Sequence, residues 1–172
     1  MKGKRDLYVI GAVFLVLLAL FLITRRSGEL PGAESFSGVK LAAVGSSEGV
    51  ELGSCPTPKC LTVYVAPWCG VCRSSTALIN GLKAWLGERG VQTRVVVGMG
   101  QPAEVEEYAR EFGPETLVDP AGQVPVAGGV PQFIVSDASG EILKRMPGVP
   151  RIIRPPIPEE DLRSLADYLG LP

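Results

Sequence analysis

Two cysteines set three apart, directly after a strand-like run and directly before a helix-like one, constrain this chain more than any other feature. Leu61-Thr62-Val63-Tyr64-Val65 is a short apolar run of strand length. Ala66-Pro67 follows, and then Trp68-Cys69-Gly70-Val71-Cys72. Beyond the motif Leu78, Leu82 and Trp85 fall at i, i+4 and i+7, with Ile79 and Leu86 beside them, which is helical spacing. Cys69 therefore stands where a strand ends and a helix begins. Free N–H groups and the positive end of the helix dipole favour an anion there, in this case the thiolate, and the thiolate is the nucleophile of thiol–disulfide exchange. A thiol three residues on, in the first helical turn, can close a disulfide back onto it. Cys69 is expected to be the attacking, more exposed sulfur and Cys72 the buried, resolving one.

A Cys-x-x-Cys pair also occurs as half of a zinc site, as two inert core thiols and as a haem attachment site. Haem attachment needs a histidine right after the second cysteine; that residue is Arg73, and the chain has no histidine. Zinc would need two further ligands, for which only Cys55 and Cys60 are available. The strand–motif–helix context favours redox chemistry. In Cys55-Pro56-Thr57-Pro58-Lys59-Cys60 two prolines stiffen the intervening loop and help hold the sulfurs within disulfide reach. This pair is open to three roles: a structural disulfide, a relay exchanging with Cys69–Cys72, or half of a four-thiolate metal site. Four cysteines allow three pairings, and the sequence does not choose among them.

The rest of the chain reads as one domain around this unit. Gln92 to Gly98, with Val95-Val96-Val97 inside it, is a second buried strand. A strand, a helix and a strand at this spacing give a right-handed parallel crossover. Ligands meet such a sheet at the carboxyl ends of its strands, where Cys69 falls. Pro102 suits the start of a helix carrying Val105, Tyr108, Ala109 and Phe112, which Gly113-Pro114 ends. Thr116 to Asp119 is a short strand, Val39 to Val44 a short edge strand, and Ser46 to Ser54 a polar loop. Gln132 to Ser136 and Glu141 to Met146 flank a turn, Asp137-Ala138-Ser139-Gly140, and read as an antiparallel hairpin. Residues 147–158 hold five prolines and form a stiff connector. A last helix opens at Pro158, buries Leu162, Leu165, Ala166 and Leu169, and stops at Gly170.

The N-terminal part is different. Residues 1–6 are a basic start, and Leu7 to Ile23 is an uncharged run of 17 residues, at the short end of what spans a bilayer. Thr24-Arg25-Arg26 follows where a small-x-small cleavage site would lie, which favours an uncleaved transmembrane anchor at 7–23 over a signal peptide. Residues 24–38 read as a flexible linker and 39–172 as the folded domain. The net charge of −1 gives no reason to expect a nucleic-acid partner.

Val63-Tyr64-Val65-Ala66-Pro67-Trp68-Cys69-Gly70-Val71-Cys72 resembles the active-site strand and motif of the thioredoxin superfamily. Gly128-Gly129-Val130-Pro131-Gln132-Phe133-Ile134-Val135 resembles its cis-proline loop, and Asp137-Ala138-Ser139-Gly140-Glu141-Ile142 its terminal hairpin. With an anchor in front, the whole is most similar to the membrane-tethered TlpA/ResA-type thiol–disulfide oxidoreductases of bacteria. The resemblance implies an α/β, thioredoxin-like fold, a central mixed β-sheet flanked by helices, preceded by one N-terminal transmembrane helix. It implies that Cys69 and Cys72 are the catalytic pair, a redox-active disulfide. Trp68, Val130 and Pro131 would contact substrate, with Pro131 packed on the disulfide and the Val130 backbone pairing with an extended substrate strand. No cofactor and no metal are implied. The domain would face the extracytoplasmic side of the inner membrane. It would reduce disulfides of exported proteins (apocytochrome c by analogy) and draw on a membrane or periplasmic electron donor. A disulfide oxidase or isomerase of exported proteins, and a four-cysteine metal-thiolate module, are the alternatives.

One departure from that family stands out. Many thioredoxins keep a buried acid six positions before the first cysteine, where this chain has Val63. Glu48, Glu51 or Asp119 folding in from elsewhere, or water, would have to take its place. Gly70-Val71 between the cysteines carries no charge, so the expected potential is nearer thioredoxin's (~−270 mV) than DsbA's (~−120 mV).

Overall fold

The strand that leads into the cysteine motif is nearly central in a seven-stranded mixed sheet. The computed structural model describes residues 34–172. In chain order these form β1 (Lys40–Ala43), β2 (Gly49–Glu51), β3 (Lys59–Val65), α1 (Gly70–Ser74), α2 (Thr76–Gly87) and β4 (Gln92–Gly98). There follow α3 (Pro102–Ala109), β5 (Leu117–Asp119), β6 (Gln132–Asp137), β7 (Ile142–Pro147) and α4 (Glu159–Leu169). The strand order is β2-β1-β5-β4-β3-β6-β7. The β3–β4 and β4–β5 pairs are parallel, as a crossover through a helix requires, and the other pairs are antiparallel.

Every residue of β3 from Cys60 to Val65 is buried, because both faces of the strand are covered. Leu61, Val63 and Val65 point into the larger core with Cys69, Cys72 and the buried residues of α2, α3 and α4. Tyr64 points the other way, into a smaller core with Phe36, Leu41, Leu52, Val96, Leu117 and Ile134. The last helix runs as expected: three acidic residues fill its first turn, its apolar stripe is buried, and Gly170 ends it in the left-handed conformation at φ +73°.

Four expectations change. The strand near residue 40 lies between β2 and β5, so it is not an edge. The edge is β2, inside the supposed polar loop; all three of its residues are exposed, so no apolar alternation marked it. The active-site helix is two helices, broken at Ser75 (φ −102°, ψ 1°) without proline or glycine. The Ser75 N–H is shared between the carbonyls of Val71 and Cys72, both at 3.1 Å, and α2 restarts at Thr76.

The fourth change is the start of the domain. The linker expected at 24–38 does not extend to residue 38, because the folded unit already begins at Glu34. Phe36 is fully buried, its N–H donates to Gly140 O at 3.0 Å, and Glu34 O accepts from Ile142 N–H at 3.0 Å. A lone phenylalanine between serines has no periodicity to reveal it. The basic start (1–6), the anchor (7–23) and residues 24–33 lie outside the described residues. Among the described residues no helix is long and apolar enough to cross a membrane.

Candidate active site

β3 delivers the chain past its carboxyl end into Ala66-Pro67-Trp68, and Cys69 becomes the N-cap of α1 in an extended conformation (φ −83°, ψ 109°). Its Sγ accepts the Cys72 backbone N–H at 3.1 Å. Cys69 and Cys72 are joined in a disulfide with Cα atoms 5.2 Å apart. Cys69 retains 7 % exposure and Cys72 none. The carbonyl oxygen of Val130 lies 3.5 Å from Cys69 Sγ, and the Val130–Pro131 peptide is cis. The structure thus brings Trp68, Cys69, Cys72, Val130 and Pro131 to one end of the sheet.

The loop carrying Val130 is fixed at several points. The buried carboxylate of Asp119 accepts from Gln123 N–H at 2.7 Å, Val124 N–H at 3.0 Å and the Tyr64 hydroxyl at 3.1 Å. Gly98 makes room for that hydroxyl: a Cβ there would sit 2.0 Å from it. Burial, reinforced by the Asp119 carboxylate, holds the Tyr64 phenol well above the usual tyrosine range. Nearer the proline, Arg145 donates to Pro125 O and to Gln132 Oε1, both at 2.8 Å, and Gln132 donates to Ala127 O. The Glu34 carboxylate faces the same guanidinium at 2.5 Å.

Exposed apolar side chains gather around the sulfurs. Trp68 is 62 % exposed, and Val71 and Met99 are exposed as well. The Trp68 indole N–H donates to Met99 O, and Met99 takes the left-handed conformation at φ +57°, unusual for a non-glycine residue. Arg73 holds the motif from outside: its Nε donates to Pro67 O at 2.7 Å, and its guanidinium lies over the Tyr108 ring and 3.6 Å from Glu111.

None of the proposed substitutes for the missing acid sits with Cys72. Asp119 is buried, but its oxygens serve Tyr64 and two backbone N–H groups on the opposite face of the sheet from the sulfurs. Glu48 and Glu51 are exposed, Glu51 on β2 and Glu48 just before it, four strands from β3. Asp119 is the last residue of β5, and the strand's alternation decides which face it occupies.

The second cysteine pair is also a disulfide, Cys55–Cys60, with Cα atoms 5.9 Å apart. Cys60 lies near the start of β3 and Cys69 lies beyond its end. The span from Cys60 to Val65 alone is about 17 Å at ~3.3 Å per residue. Sulfurs that far apart cannot exchange with each other in the folded domain. They cannot share one metal ion either, since each thiolate would have to lie about 2.3 Å from it. Among the described residues no cluster of metal-ligating side chains occurs. The geometry leaves the structural staple as the role of Cys55–Cys60.

A mixed sheet, a Cys-x-x-Cys disulfide beyond the carboxyl end of its central parallel strand and a cis-proline against that disulfide together define the thioredoxin-like fold. Comparison with solved structures places the chain in the same fold class. It is similar to a candidate thiol:disulfide interchange protein DsbE of Chlorobium tepidum (TM-score 0.58, 23 % identity, covering 83 % of this chain and 97 % of that one). It is also similar to the exposed lipoprotein thioredoxin of Streptococcus pneumoniae (TM-score 0.55, 18 % identity, 76 % and 98 % covered). A third is a secreted Mycobacterium tuberculosis disulfide oxidoreductase homologous to Escherichia coli DsbE (TM-score 0.54, 11 % identity, 77 % and 94 % covered). No family model and no curated protein matches the chain.

Proposed function

We propose that this protein is a membrane-tethered thiol–disulfide oxidoreductase that reduces disulfides of exported proteins through Cys69 and Cys72. The observation that carries the reading is the arrangement of the pair. Cys69 keeps a slight exposure beside the Val130 carbonyl, and Cys72, bonded to it, is fully buried. Cys69 thiolate attacks a substrate disulfide and displaces one substrate thiolate. Cys72 thiolate then attacks Cys69 Sγ, forming Cys69–Cys72 and releasing the second substrate thiol. Two electrons pass from the cysteine pair to the substrate, and no cofactor enters. Trp68, Val130 and Pro131 form the substrate-facing rim.

The reducing direction rests on the uncharged Gly70-Val71 pair and on the absence of a histidine, which leave the Cys69 thiolate without strong stabilisation. The tether rests on the uncharged run Leu7–Ile23, and the extracytoplasmic placement on two disulfides in one small domain. The test is a redox titration of the full chain in thiol–disulfide buffers, with alkylation and mass mapping of each cysteine. Cys69–Cys72 should titrate alone, below about −170 mV, on the scale where thioredoxin stands at ~−270 mV and DsbA at ~−120 mV. A higher potential would make the protein an oxidase or isomerase, and failure of the pair to titrate would remove the exchange reading altogether.

A further inference from the structure

The Ser75 side chain is buried, 1 % exposed, and its hydroxyl has no hydrogen-bond partner in the protein. Native structures rarely leave a buried hydroxyl unpaired, because its desolvation is then uncompensated. The Thr93 and Thr116 hydroxyls are also buried without a partner, but each lies at the opening of a parallel strand, β4 or β5, the end of the sheet away from the sulfurs. Ser75 is at the sulfur end. It follows Cys72 by three residues at the end of α1, and its N–H still bonds to Val71 O and Cys72 O. On a helix, Cβ atoms three apart lie about 5–6 Å from each other on one face. Ser75 caps the same short helix whose first turn holds Cys72.

In the disulfide form the hydroxyl makes no hydrogen bond to Cys72 Sγ. In this structure Cys72 Sγ is bonded to Cys69 and carries no charge. A thiolate at Cys72 exists only after the disulfide is reduced or while a mixed disulfide waits to be resolved. That thiolate is buried, and Val63 supplies no acid to manage its proton. A neutral donor that reaches it stabilises the charged form without adding a second buried charge.

We propose that the Ser75 hydroxyl is the hydrogen-bond donor that holds the Cys72 thiolate during resolution, in the place where related proteins use a buried acid near the sulfurs. The inference rests on the exchange reading above. During resolution the Cys72 proton leaves to solvent, the thiolate accepts the Ser75 O–H, and its electron pair forms the bond to Cys69 Sγ. The Cys69–substrate bond breaks, and its pair departs with the substrate thiolate. The hydroxyl is neither oxidised nor reduced; it keeps its proton throughout.

The test uses the reduced full chain and dithiobis(nitrobenzoate) in a stopped-flow instrument. Attack by Cys69 releases one thionitrobenzoate, and resolution by Cys72 releases a second. In Ser75→Ala the first release keeps its rate, while the second slows roughly tenfold and its pH midpoint rises by about one unit, the equivalent of a tenfold change. The oxidised Ser75→Ala protein melts at the same temperature as the parent or higher, since an unpaired hydroxyl has been removed. Ser75→Thr, which keeps the hydroxyl, retains the fast second phase. The proposal is overturned if the second phase of Ser75→Ala stays within twofold of the parent with the same pH midpoint. It is overturned equally if both phases slow together with a lowered melting temperature, or if Ser75→Thr is as slow as Ser75→Ala. A parent protein that releases no second thionitrobenzoate sinks the exchange reading itself, a result distinct from all of these.

Discussion

Replacing Cys55 and Cys60 by alanine should weaken the fold and leave the chemistry alone. The disulfide closes a loop of sequence separation 5. The chain-entropy model for a loop this short gives about 2 kcal/mol of stabilisation at 25 °C. For a unit of about 140 residues, an unfolding entropy near 2.1 cal/mol/K per residue turns that into a fall in melting temperature of about 7 °C. The pair lies at the opposite end of β3 from Cys69, so the potential of Cys69–Cys72 and the rate of substrate reduction should stay within twofold of the parent. The assays are urea or thermal unfolding of the oxidised proteins, a glutathione titration and a turnover assay with a protein disulfide. A double variant as stable as the parent would contradict the staple. One whose Cys69–Cys72 potential moved by more than about 30 mV, a tenfold change in the exchange constant, would show that the two pairs communicate and refute the separation argued from the strand.

Three other perturbations follow from the same structure. Phe36→Ala should cost about 3–5 kcal/mol, as a fully buried phenylalanine does, and a chain trimmed to begin at residue 39 should lose at least as much; denaturant unfolding measures both. Tyr64 ionises in the unfolded chain near pH 10 but not in the folded one, so its contribution is complete below pH 10 and declines as pH rises further, by up to about 1.4 kcal/mol per unit. The stability gap between parent and Tyr64→Phe should therefore shrink from pH 9 to pH 11, and a gap that widened would reverse the sign. Trp68→Ala should leave unfolding within about 1 kcal/mol of the parent, since the ring is mostly exposed, while KM for a protein disulfide rises several-fold; an unchanged KM would remove Trp68 from the substrate rim.

The sequence carried the fold wherever burial imposed a period. β3 from Cys60 and β4 from Val95 are buried on both sides and read as largely apolar runs, and α4 has an unbroken stripe, so each was legible. β2 and the segment from Glu34 to Phe36 were not, because three exposed residues and one isolated phenylalanine make no pattern. The sulfur pair was legible as a pair at a strand–helix junction, and the structure joins it in a disulfide there. The break at Ser75 had no proline or glycine to announce it. The role of Cys55–Cys60 needed the length of β3 as a ruler, which cysteine spacing alone does not provide. Asp119 shows the same limit from the other side: composition offered a buried acid, and only the pleat told which face it served.

That placement of Asp119 bears on how the protein answers to its surroundings. The carboxylate is committed to holding a loop, and the chain contains no histidine. Among the described residues, Asp119, Glu48 and Glu51 all lie away from the sulfurs, so none of them can bank a proton between one half-reaction and the next. On the proposed exchange reading, every proton that Cys72 gives up or takes back is traded with the medium. The tempo of exchange is therefore set from outside, by the acidity of the compartment bathing Cys69, and two compartments half a pH unit apart would run the same molecule at different speeds.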